Sequence, residues 1–69
     1  MDNNKVVESL ISTMKSSAYP NEVRAGAAEG LGFTGFVSAR DALNDVMKSS
    51  AYPTEVRASA AKALGRSVL

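Results

Sequence analysis

An all-α fold of two tandem helical hairpins is predicted by three features of the sequence: a long internal repeat, apolar residues at helical spacing, and a breaker after each helical stretch. Residues 14 to 32 return at residues 47 to 65, an offset of 33. Only Asn21/Thr54, Gly26/Ser59, Glu29/Lys62 and Gly30/Ala63 differ, so 15 of 19 positions match. Such self-similarity marks two copies of one supersecondary unit, neither able to bury its apolar side alone. The units cover about residues 4–33 and 37–66 of a single domain, 1–69.

The first helix is expected over about residues 4–16, because Val6, Val7, Leu10, Ile11 and Met14 share one side and Lys5, Glu8, Ser12 and Lys15 the other. Asp2, Asn3 or Asn4 can cap its start. Tyr19-Pro20 breaks it, since proline disfavours helix at the preceding residue and suits the first turn of a new one. The second helix, about 20–31, places Val23, Ala27, Gly30 and Leu31 on its inward stripe, with Glu22 at the positive end of its dipole. Gly32 is expected to end it in a left-handed cap. The cycle then restarts. Ser38 and Asp41 resemble a capping box opening a helix over about 38–49 with Ala39, Ala42, Leu43, Val46 and Met47 inward. Tyr52-Pro53 repeats the break, and a fourth helix over about 53–64 carries Val56, Ala60, Ala63 and Leu64 to a stop at Gly65. Leu31 and Leu64 are both expected to be buried. Gly26 and Gly30, with Ser59 and Ala63 as their equivalents, are expected at close helix crossings.

Composition narrows the function classes. The chain has no cysteine and no histidine, which removes disulfides, thiolate metal sites and the commonest nucleophile and general base. No carboxylate pair stands at a spacing that implies catalysis, and Asp41 with Asp45, one turn apart, reads as a solvated face. No catalytic, cofactor-binding or metal-ligating residue is therefore assigned, and no cofactor is expected. A net charge of +1 gives no case for nucleic acid. The halves differ, however: residues 1–33 carry three basic and four acidic side chains, residues 34–69 five and three. With no run long enough to span a membrane and a polar N-terminus, a soluble cytoplasmic protein is expected.

Val23-Arg24, Ala27-Ala28 and Leu31-Gly32, repeated as Val56-Arg57, Ala60-Ala61 and Leu64-Gly65, resemble the second helix of the short HEAT-like repeats named after phycobilisome lyases. The resemblance covers nearly the whole chain and implies antiparallel helix pairs stacked as a fragment of an α-α superhelix. It also implies a protein-binding scaffold, with a subunit or chaperone of a bilin-lyase-like enzyme acting on phycobiliproteins as one alternative and a nucleic-acid-binding module as another. The ankyrin Thr-Pro-Leu-His box and the tetratricopeptide Trp-Gly-Tyr pattern are both missing.

Six residues are candidate partner contacts: Tyr19, Tyr52, Arg24, Arg57, Phe33 and Phe36. Each has a structural alternative. The tyrosines, one per inter-helix turn, can lid the core with their hydroxyls in water. The arginines can bond carboxylates or helix-end carbonyls, with Glu22 and Glu55 as candidate acceptors. The phenylalanines can plug the connection between units. Because neither repeat is specialised as a polar cap, the chain is expected to self-associate as a homodimer in which a second chain covers the apolar flank of a terminal hairpin.

Overall fold

The computed structural model describes residues 1–69 and consists of α1 (Asn3–Lys15), α2 (Asn21–Leu31), α3 (Val37–Lys48) and α4 (Thr54–Arg66), with no strand. Every boundary lies within two residues of its sequence-based position. Asp2 caps α1 by accepting from the Lys5 amide at 2.9 Å. Both hairpin turns are built the same way. Ser16 Oγ accepts from the Ala18 amide at 3.1 Å and Ser49 Oγ from the Ala51 amide at 3.2 Å, serine turns that hold each chain reversal before the Tyr-Pro step. Pro20 and Pro53 then stand as N-caps, one position outside the helix, and their carbonyls accept from the Arg24 and Arg57 amides at 3.1 and 3.0 Å.

Three expected helix ends are corrected. Gly32 is right-handed, φ −63° and ψ −19°, and the left-handed residue is Gly35, φ 72°. The last turn of α2 instead tightens, with Phe33 and Thr34 amides donating to Gly30 and Leu31 carbonyls at 3.1 and 3.2 Å, while Thr34 Oγ1 also donates to the Leu31 carbonyl at 3.0 Å. Those carbonyls are satisfied before the reversal at Gly35 is reached. Gly65 does not stop α4, which runs on to Arg66. The capping box is not formed either: α3 begins at Val37, with Phe36 as N-cap and no side-chain bond to its first turn.

The helices pair as hairpins, α1 on α2 and α3 on α4, and the hairpins join chiefly through α2 on α4. Met14, Leu31, Leu43, Val46 and Val56 are the largest fully buried side chains, set among alanines that let the helices approach. The approach of the two hairpins is tight at Gly32, just after α2. A Cβ there would stand 2.8 Å from the Ala63 carbonyl oxygen and 2.9 Å from the Ala63 Cβ. The close crossing therefore falls on the residue expected to be a cap, while a Cβ at Gly26 meets nothing within 4 Å and one at Gly30 only Leu10 methyls at 3.7 and 3.8 Å. Two inward assignments are also reversed, since Val6 and Val23 are 39% and 43% exposed. Leu31 is buried, but Leu64 is only partly so.

Candidate protein-docking surface

The two arginines are spent on helix ends. Arg24 Nε donates to the Met14 carbonyl at 3.1 Å and Nη2 to the Lys15 carbonyl at 3.4 Å, so a cation from α2 occupies the negative end of the α1 dipole. Arg57 repeats the first bond on the Met47 carbonyl at 3.1 Å. The acceptors are carbonyls rather than Glu22 or Glu55. Arg24 is buried, and its guanidinium lies 5.6 Å from the centre of the Tyr52 ring across the seam, whereas Arg57 is half-buried.

The aromatic residues separate by position. Tyr52 and Phe36 pack partly buried against the core, while Tyr19 is exposed. Phe33 is 76% exposed, and its ring carries the Arg66 guanidinium at 4.6 Å. Arg66 also donates to the Glu29 carboxylate at 2.8 Å and to the Glu29 carbonyl at 3.2 Å, tying the end of α4 to α2. Lys15 and Asp45 add a looser ion pair between α1 and α3 at 3.9 Å. Arg66 was not singled out from the sequence. The contrast of Glu29 with Lys62 in the repeat alignment was the signal that an interaction there is not duplicated.

Equivalent residues of the two repeats differ systematically in burial. Ala25, Ala28, Leu31 and Gly32 of the first unit are buried; their identical counterparts Ala58, Ala61 and Gly65 are exposed and Leu64 is half-buried. In the opposite sense, Tyr19, Pro20 and Val23 are exposed where Tyr52 and Pro53 are half-buried and Val56 is fully buried. Each unit thus has a leading face and a trailing face. The internal seam is the trailing face of unit one against the leading face of unit two. The leading face of unit one and the trailing face of unit two remain open at opposite ends of a 28 × 25 × 16 Å molecule. Val23 and Ala61 are exposed and Leu64 is half-buried, because periodicity identifies an apolar stripe without saying which neighbour covers it.

A shallow cavity of about 190 Å³ lies between α1 and the inter-unit connection, lined by Asn3, Val6, Val7, Thr34 and Phe36. It holds no titratable side chain. No cluster of three or more His, Cys, Asp or Glu residues is placed to hold a metal ion, and no helix is long and apolar enough to cross a membrane.

No protein-family model matches this chain, and no curated protein or solved structure matches it. The class defined by the fold is a small all-α protein of four helices packed as two hairpins.

Proposed function

We propose that this protein is a non-enzymatic interaction module of HEAT-like construction, which binds protein surfaces on the open flanks of its hairpin pair. The observation that supports this reading is the burial asymmetry between identical residues: Ala28, Leu31 and Gly32 are covered by a neighbouring hairpin, while Ala61 and Gly65 are exposed and Leu64 is only half-buried. Surface of that kind is favoured to leave water against another protein. The pairing of α1 with α2 and α3 with α4 is compatible with the helix pairs that the HEAT-like resemblance implies.

Site-specific photo-crosslinking in cells tests the reading. A benzophenone side chain at position 61 or 23 is expected to form covalent protein adducts, and one at Glu8, on the exposed side of α1, is expected to form far fewer. Equal or absent adduct formation at all three positions would remove the interaction role from these flanks.

A further inference from the structure

We infer that the protein docked on each flank is a second copy of this chain, joined head to tail so that the trailing face of one copy repeats the internal seam on the leading face of the next. This rests on the interaction role proposed above and specifies its partner. The trailing face that is covered within the chain and the one that is open share five residues: Arg24, Ala25, Ala28, Leu31 and Gly32 correspond to Arg57, Ala58, Ala61, Leu64 and Gly65. What covers the first is a leading face containing Tyr52, Pro53, Val56 and Ala63. The open leading face carries Tyr19, Pro20, Val23 and Gly30 in the same places. The surface known to fit therefore exists on the other end of the same molecule.

The details of the seam transfer. Gly32 meets Ala63 so closely that no Cβ fits, and its counterpart Gly65, with nothing within 4 Å of an added Cβ, would meet Gly30, which offers one methyl group fewer. Arg24 lies over Tyr52; Arg57 would lie over the exposed Tyr19 of the next copy. The Glu29–Arg66 ion pair is not duplicated, since Lys62 replaces the acid and Phe33 stands where Arg66 does. Charge agrees in sign: the half bearing the open leading face has three basic and four acidic residues, net −1, and the half bearing the open trailing face has five and three, net +2. A two-fold dimer would instead set a face against itself and leave the complementary face unused. Head-to-tail contacts are heterologous and continue unless the rotation closes a ring.

The test uses the purified full chain, a variant blocked on the trailing face, Ala61→Arg, and a variant blocked on the leading face, Val23→Arg. Both positions are exposed, so neither substitution enters the core, and circular dichroism checks that the helices persist. Light scattering over a hundredfold concentration range should show the parent growing beyond twice its 7.2 kDa mass, with each variant alone staying at one chain. An equimolar mixture of the two variants should form a species of two chains and stop there, because each supplies the single intact face that the other lacks. A parent that remains at one chain, a parent that levels at two chains with one variant unaffected, or a mixture that does not pair would each overturn the head-to-tail assignment. If the parent is monomeric while position 61 or 23 still crosslinks to another protein in cells, the interaction role stands and only the choice of partner falls.

Discussion

Gly32 shows how one missing methyl group sets the distance between two hairpins. Its backbone is right-handed, so alanine is conformationally acceptable there, but the added Cβ would lie 2.8 Å from a carbonyl oxygen that belongs to a helix and cannot swing aside. Overpacking of this kind costs about 1–3 kcal/mol. Gly26 is the opposite case, exposed and within α2, where replacing glycine with alanine gains up to about 1 kcal/mol from helix propensity. Gly32→Ala is therefore expected to lower the melting temperature and Gly26→Ala to raise it, measured by circular dichroism on matched samples. A higher melting temperature for Gly32→Ala would mean that the seam is looser than this geometry. The expected tight crossing is found at Ala63, but its partner is Gly32 rather than Gly26 or Gly30.

At the scale of elements, each hairpin is closed by an arginine that reaches from its second helix to the last carbonyls of its first. These carbonyls have no intrahelical partner, and a cation there also meets the helix dipole. The two copies are not equivalent in their surroundings. Arg24 is buried beneath Tyr52 and makes two such bonds, while Arg57 is half-buried and makes one, so water can replace Arg57 more readily. Replacing Arg24 with methionine keeps much of the apolar stem but leaves buried carbonyls unmet, at about 1–3 kcal/mol. We expect Arg24→Met to be clearly destabilising in urea titrations and Arg57→Met less so. Equal losses would show that the depth of burial is not what distinguishes the two sites. The Glu29–Arg66 pair, with both side chains about one third exposed, is expected to contribute little by comparison.

For the whole molecule, the seam between α2 and α4 decides whether two hairpins behave as one folding unit. A chain of 69 residues has little burial to spare over the entropy lost on ordering, so neither hairpin is expected to stand without the other. Urea unfolding should show one transition, and core substitutions in either unit should shift it. Leu31 lies under the second hairpin and is 1% exposed, so Leu31→Ala is expected to cost about 2–5 kcal/mol. Leu64, identical in the repeat but only partly buried, should cost less. Two resolved transitions, or a Leu64→Ala loss equal to that of Leu31→Ala, would contradict this account.

The helices, their order and their bounds to within two residues were legible in the sequence, because helical periodicity, the Tyr-Pro steps and the 33-residue offset are local signals carried by residue type alone. Ala27, Ala39, Ala42, Ala60 and Ala63 and the fully buried Leu43, Val46 and Val56 followed from the same signals, whereas the buried Ala25 and Ala28 lay beside the expected stripe. The repeat also predicts its own ambiguity: it assigns Val23 and Val56, or Leu31 and Leu64, the same place in a unit. Tertiary structure alone separated them, by setting one unit's trailing face against the other's leading face and leaving the remaining two faces open. The right-handed conformation of the Gly32 cap, with the left-handed residue three positions on at Gly35, was decided there too, because Gly32 meets Ala63 and the tightened last turn already satisfies its carbonyls. Identical residues have identical local preferences, but burial depends on what lies across the interface, and that is not a property of either repeat taken singly.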